Sequence, residues 1–193
     1  MKKSNFFAFI SRMKYINRWG LMRSIKEENV SEHSLDVAII AHALTVIQKK
    51  RLNIDVNSEK TVLYAIYHDA SEILTGDMPT PVKYFNSSIK SAYKEVELSA
   101  NKSLLKLLPE DFYEEYESVL ISKEEDAEIW KTIKAADKIS AYIKCIEEEK
   151  SGNKEFVKAK QAILQEINNM NRQDVKIFID EFLEGYSLTL DEM

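Results

Sequence analysis

Apolar residues recur along this chain at helical spacing, and no segment shows sustained alternation of period two. Phe6, Phe9, Ile10 and Met13 share one face over residues 4–16. Ser31 is a good N-cap for a helix running to about residue 50, with Val37, Ile40, Ala41 and Leu44 as its apolar stripe. Ser58 followed by Glu59 opens a further helix that reaches His68 and, if it continues, Glu72. The stretch Thr75-Gly76-Asp77-Met78-Pro79-Thr80-Pro81 then breaks regularity, because Gly and two prolines cannot extend a helix. A long helix is predicted over 87–107, and Pro109 suits the first turn of the next. Ser122 and Glu125 match a capping box ahead of a helix ending near Gly152. Helices over roughly 154–169 and 171–184 follow, the last stopping at Gly185. The predicted fold class is all-α. No repeat or linker divides the sequence, so residues 1–193 are expected to form one domain.

Composition sharpens this picture. Four Gly and three Pro are too few for the many turns of an all-β fold. With 45% hydrophobic and 31% charged residues, the chain is an ordinary folding sequence. No apolar stretch is expected to approach the length that spans a bilayer. The start, Met1-Lys2-Lys3-Ser4-Asn5-Phe6-Phe7, lacks a long apolar core and a small-residue cleavage site, so a cytoplasmic location is expected. Cys145, the one cysteine, excludes an internal disulfide and fits a reducing compartment.

Charge is distributed unevenly. Residues 1–26 carry seven basic side chains (Lys2, Lys3, Arg12, Lys14, Arg18, Arg23, Lys26) and no acidic one, whereas the whole chain has a net charge of −5. The acidic remainder argues against binding a nucleic-acid polymer. The basic segment suits a small anion such as a phosphate monoester. A solvated helix face, or an acid-poor targeting peptide, would produce the same local charge.

The chemistry concentrates at His68-Asp69, which follows the apolar run 62–67. An imidazole beside a carboxylate gains nothing from burial unless both are satisfied, and a divalent cation satisfies both. His33 lies on the apolar stripe of its helix and points toward the core. His42, nine residues on, is about 180° away and cannot share an ion with His33; it reads as a structural histidine packed near Ala38, Ile39 and Val46. Asp137 shares a stripe with Trp130, Ile133 and Ala141, where a cation or a salt bridge to Lys134 or Lys138 would satisfy it. Glu72 leans over the same spot if the helix continues. Two imidazoles and two carboxylates suit Mn²⁺, Co²⁺, Fe²⁺, Ni²⁺ or Zn²⁺, and leave positions open for water and a substrate oxygen.

A helical His, the His-Asp doublet and a distant Asp resemble the signature of the HD-domain metallophosphohydrolases. Asn17-Arg18-Trp19, the segment 29–34, Tyr67-His68-Asp69-Ala70-Ser71-Glu72, the segment 75–86 and Ala135-Ala136-Asp137 are similar, in order, to the bacterial 5′-deoxynucleotidases of the YfbR type. Met78 stands where Leu is more readily expected and keeps the apolar character. The resemblance implies an HD-type helical bundle, a cytosolic homodimer, and hydrolysis of deoxyribonucleoside 5′-monophosphates to deoxynucleoside and phosphate. Little base preference and selection against ribonucleotides are implied too, with one divalent ion, Co²⁺ or Mn²⁺ foremost and Cu²⁺ also serving. The implied metal ligands are His33, His68, Asp69 and Asp137, with His33, Asp69 and Asp137 also facing substrate. Arg18 would orient the phosphate, Trp19 would crowd the 2′ position, and Asp77, Met78, Pro79 and Thr80 would line the nucleotide site. Glu72 would be the catalytic carboxylate, Asp77 a proton donor or ribose ligand, and Lys83 a possible helper. Two other functions fit a similar pattern: a single-metal phosphodiesterase or pyrophosphohydrolase of a signalling nucleotide, and a non-catalytic nucleotide-binding helical module.

Overall fold

The computed structural model describes residues 3–83 and 85–193. Met1, the basic Lys2 and Tyr84 of the 75–86 motif lie outside the described residues. The elements are α1 (Phe6–Ile10), α2 (Val30–Arg51), α3 (Ser58–Tyr67), α4 (Glu72–Thr75), α5 (Thr80–Lys83), α6 (Ser87–Leu105), α7 (Tyr113–Leu120), α8 (Ala127–Lys150), α9 (Val157–Asn169) and α10 (Gln173–Phe182), joined by turns and short 3₁₀ segments. The described residues form an all-α bundle. Among the described residues the only β-type pairing is an isolated bridge between Asn17 and Asn29.

Helix α2 is the axis of the bundle and packs on α3, α8 and α10. Val37, Ile40, Ala41, Leu44 and Ile47 of α2 meet Tyr64 and Ala65 of α3 and Ile133, Ala136 and Ile139 of α8 in the main core. A smaller cluster of Phe6, Ala70, Leu104, Leu105, Leu108 and Leu120 pins α1 to the end of α6. Contrary to the expectation from sequence, α2 is long and apolar enough to cross a membrane by length and composition. Its apolar window is 56% buried inside the protein, as a central helix requires. The rest of its apolar surface is exposed, with Leu35 at 60%, Ile39 at 59% and Val46 at 41%.

At the start of α2 two capping residues compete. Asn29, not Ser31, caps α2: its Oδ1 accepts from the N–H groups of Ser31 and Glu32 at 3.0 Å each, and Glu32 returns the bond. Asn57 caps α3 by accepting from Lys60 N–H at 2.9 Å. α3 ends at Tyr67, so His68 to Ser71 form turns and Glu72 opens a separate short helix. Pro109 precedes a 3₁₀ turn, Glu110–Phe112, rather than entering a helix. The Ser122/Glu125 capping box does not form; α8 begins at Ala127, beside Asp126, which turns inward to accept from Lys60 Nζ at 2.6 Å and Tyr64 Oη–H at 2.8 Å. Gly152, at φ +89°, follows the end of α8, while Gly185 sits within the 3₁₀ segment Glu184–Ser187, beyond the end of α10.

One buried cluster fixes the loop between α1 and α2. Glu148 of α8, 2% exposed, accepts from the backbone N–H groups of Ile25 and Lys26, from Asn153 Nδ2 and from Lys144 Nζ. These donors hold its carboxyl down at about 2, although burial alone would raise it. Glu148→Ala would strand the buried Lys144 ammonium, and the expected loss is ~3–5 kcal/mol of unfolding free energy, measured by urea denaturation.

Candidate active site

Three helices bring the candidate ligands near one another: His33, His68 and Asp69 form one group, and Asp137 joins it through His33. His33 enters from the first turn of α2, His68 and Asp69 from the end of α3, and Asp137 from the middle of α8. His33 Nε2 lies 3.0 Å from Asp137 Oδ1 and 3.7 Å from Asp69 Oδ2, and His68 Nε2 lies 3.1 Å from Asp69 Oδ2. Both Nε2 atoms are nonetheless buried without hydrogen-bond geometry to any partner. Ligand atoms of His33, His68 and Asp69 all fall within 4.8 Å of one another. An ion bound at about 2.1 Å sets neighbouring ligand atoms about 3 Å apart, so these separations fit a divalent cation at the centre.

Neighbours set which ring nitrogen is available. His68 Nδ1 sits 2.7 Å from the Ala65 carbonyl, which can only accept, so Nδ1 carries the hydrogen and Nε2 keeps its lone pair for the centre. His33 Nδ1 faces Ser140 Oγ at 3.3 Å and Glu28 Oε1 at 3.6 Å, on the side away from the cluster.

The charge balance follows from crowding. Burial and the Arg18 guanidinium oppose a proton on His33, but Asp137 and Glu28 outweigh them and push it up to about 9. Burial would raise Asp69 and Asp137; His68, His33 and Arg18 instead hold Asp69, and His33 and Arg18 hold Asp137, well below the usual carboxylate range. Glu72 goes the other way. Burial first, then the charges of Asp69 and Asp77, push it up to about 10, and its Oε2 has no partner. Asp77 is also raised, mainly by burial, with Arg18 opposing.

Arg18 and Trp19 form the wall beside this cluster. Arg18 Nη1 approaches Asp69 Oδ2 at 3.4 Å and its Nε approaches Glu28 Oε2 at 3.5 Å. Trp19 sits in the left-handed region at φ 60°, a conformation that costs a non-glycine residue ~1–2 kcal/mol. Four contacts hold it there: its N–H to Asp77 Oδ2 at 3.3 Å, its Nε1 to Glu28 Oε2 at 2.6 Å, its carbonyl to Met22 N–H at 2.8 Å, and its ring against Phe156. Of the basic segment, Arg18 is thus built into the folded body. Met78 and Pro79, half-buried, lead from Asp77 into α5, where Thr80 is exposed.

The remaining candidates fall elsewhere. His42 is exposed rather than packed as a structural histidine, because among the described residues no element covers its face of α2. Lys138 pairs with Glu166 at 2.8 Å and Lys134 is exposed, so the salt-bridge alternative for Asp137 is not what the structure shows. Lys83 Nζ donates to Glu97 at 2.8 Å and lies over the Tyr93 ring. Glu28 was not among the expected site residues: in Glu27-Glu28-Asn29 nothing local says which carboxylate turns inward.

Comparison with known proteins agrees with the geometry. Residues 5–186 match the family described as 5′-deoxynucleotidase YfbR-like. The chain is 45% identical, over 100% of both chains, to a 5′-deoxynucleotidase of Photobacterium profundum. It is 46% identical, again over 100% of both, to one of Vibrio cholerae. An HD-domain phosphohydrolase of Listeria innocua superposes with a TM-score of 0.78 at 27% identity, covering 94% of this chain and 88% of that one. The cyanophage S-2L HD phosphohydrolase DatZ, bound to dA and one catalytic Zn²⁺ ion, shares the fold at TM-score 0.68 and 14% identity, covering 96% and 98%. This chain belongs to the YfbR-like 5′-deoxynucleotidase family.

Proposed function

We propose that this chain hydrolyses deoxyribonucleoside 5′-monophosphates to deoxynucleoside and phosphate with one divalent metal ion. The observation that carries the reading is the pair of unpartnered histidine Nε2 atoms converging with Asp69 and Asp137 beside Arg18. His33, His68, Asp69 and Asp137 are the ligands. Co²⁺ or Mn²⁺ is the expected ion, with Cu²⁺, Ni²⁺, Fe²⁺ or Zn²⁺ able to replace it. When bound, the ion supplies Lewis-acid polarisation of the phosphoryl group and acidifies water. Support for a single-ion site comes from DatZ, described as bound to dA and one catalytic Zn²⁺ ion.

The chain's own groups do the rest. Arg18 presents a planar fork of donors that matches phosphate geometry and stays charged. Glu72, pushed up to about 10 by burial and by the charges of Asp69 and Asp77, is the candidate group for handing a proton on at the site. Asp77 is the candidate donor to the leaving 5′ oxygen or a ligand of the sugar, and its raised pKa suits a donor. Met78, Pro79 and Thr80 extend the nucleotide wall. His33, Asp69 and Asp137 face the phosphate as well as the ion.

Trp19 is assigned to sugar selection, with little base preference, because a rigid indole locked at both ends is a steric gauge. Trp19→Ala is expected to narrow the deoxy-over-ribo ratio of kcat/KM by roughly tenfold or more, on the scale of a few kcal/mol that one group's fit contributes. An unchanged ratio would assign selection elsewhere.

The chain acts as one catalytic domain, is cytoplasmic, and binds neither membrane nor nucleic-acid polymer. It pairs as a homodimer through the exposed apolar face of α2. Ile39→Glu is expected to shift sedimentation from dimer to monomer; no change in mass would place the interface elsewhere.

The decisive test is phosphate release from a panel of deoxy- and ribonucleoside monophosphates, with and without Co²⁺ or Mn²⁺. Cyclic nucleotides and guanosine tetraphosphate belong in the same panel, since turnover confined to them would favour the diesterase or pyrophosphohydrolase reading. No metal-dependent release from any of these compounds would favour the non-catalytic module.

A further inference from the structure

Helix α2 carries a second seam besides the one that faces the core. Glu32, Leu35, Ile39, His42, Val46 and Lys49 follow one another at intervals of 3, 4, 3, 4 and 3 residues, and every one of them is exposed. That is the a/d spacing with which one helix winds onto another. The middle of the seam is apolar, and its ends carry opposite charge. Asp36 stands beside Glu32 at the start, while Lys50 follows Lys49 at the finish. Arg51 pairs with Glu181, whereas Lys49 has no ion pair among the described residues. None of the proposed metal ligands lies on this seam, because His33 points the other way, into the core.

We propose that α2 pairs antiparallel with the same helix of a second copy, about a two-fold axis that passes between Ile39 and His42. Glu32 then meets Lys49 of the partner subunit, Leu35 meets Val46 of the partner subunit, and Ile39 meets His42 of the partner subunit. The argument is one of self-complementarity. The spacing 3-4-3-4-3 reads the same from either end, so a reversed copy matches all six positions in a single register. Reversal also sets acid against base at both ends and apolar against apolar between them. A two-fold contact requires this reciprocity, and it closes at two copies. A parallel pair would oppose Glu32 to itself and Lys49 to itself, which like-charge repulsion disfavours. This inference rests on the homodimer reading above and gives that contact a direction and a register.

Oxidative cross-linking reads the register. In the proposed pairing residues 35 and 46 face each other across the seam. Residue 35 and its own symmetry mate are separated by the interval from 35 to 46 along the axis, about 16 Å at ~1.5 Å per residue, and the same holds for residue 46. A disulfide spans no such gap. Leu35→Cys combined with Val46→Cys should therefore give a covalent dimer on oxidation, and either substitution alone should not. Cys145 is buried and takes no part. Covalent dimers from either single variant would show a parallel or shifted seam and overturn the proposal.

Charge reversal is the independent arm, and the one that decides if the double cysteine variant fails to fold. Lys49→Glu and Glu32→Lys should each weaken the dimer by about tenfold in sedimentation equilibrium, since each spoils two symmetry-related ion pairs. Combined, they should restore the dissociation constant to within about threefold of the unsubstituted chain. Glu32 also bonds the Asn29 N–H in the cap of α2, but the combined variant lacks that bond too, so recovery belongs to the pair alone. Absence of recovery would overturn the register. If the unsubstituted chain sediments as a monomer, the homodimer reading itself fails. If it sediments as a dimer with neither the 35/46 cross-link nor the charge-reversal recovery, only this inference falls.

Discussion

Glu72→Ala is expected to lower kcat by about 10²–10⁴-fold while leaving metal affinity nearly unchanged. The split follows from position. Glu72 opens α4 one turn after the His-Asp doublet, yet its Oε2 touches no ligand and lies buried without a partner. Burial and the neighbouring charges of Asp69 and Asp77 keep its proton on up to about 10, so the side chain enters the neutral range carrying a proton it can move. Loss of that proton should cost turnover, because moving it is the step to which a poised carboxyl contributes. Near-normal kcat in the variant, measured by phosphate release with saturating Mn²⁺, would show that another group handles the proton. Glu72→Gln is the sharper companion: it keeps size and a donor but cannot release a proton, and it is expected to be as impaired as the alanine variant.

Metal affinity is expected to climb with pH by about tenfold per unit until His33 deprotonates near 9, because the ion and the proton compete for Nε2. The sign is fixed by the direction of the shift. Asp137 and Glu28 raise His33 above its ordinary value of 6.5, so below about 9 the metal-free protein carries a proton that the ion must expel. Between pH 6 and 8 the apparent dissociation constant should fall roughly 100-fold, with proton release seen as a buffer-dependent heat in calorimetry. A flat profile over this interval would show that His33 is already neutral before the ion arrives.

Helical periodicity was enough to place most of the main core. His33 falls on the stripe of Val37, Ile40, Ala41 and Leu44, and all five are buried. The bundle arranges the rest around that stripe, because a helix buried along one face must meet other helices there. Boundaries were less readable, for a local reason. Asn29 and Ser31 are both capping types, and only the reciprocal bond from Glu32 decides between them. Ser58 opens α3 as expected, with Asn57 capping it.

At the site, the doublet's chemistry was readable because a carboxylate after an apolar helix is costly without a partner. The fate of Glu28 was not. It depends on a bridge between Asn17 and Asn29 that brings two loop segments together, and on Glu148, more than a hundred residues away, which grips the backbone at Ile25 and Lys26. Loop segments carry no periodicity that would announce such pairing. His42 misleads from the opposite side: its apolar neighbours Ile39 and Val46 suggest a core, and they are exposed.

Helix α8 bears Asp137, Ser140, Lys144 and Glu148 at intervals of three, four and four residues. The first pair meets His33, and the second pair clamps the loop that presents Arg18 and Trp19. A single rod about 16 Å long therefore keeps both halves of the catalytic pocket in register. Inserting or deleting one residue between positions 137 and 148 would turn one half through about 100° relative to the other. Between these positions only Glu147 is exposed, so the side chains as well as the residue count are constrained.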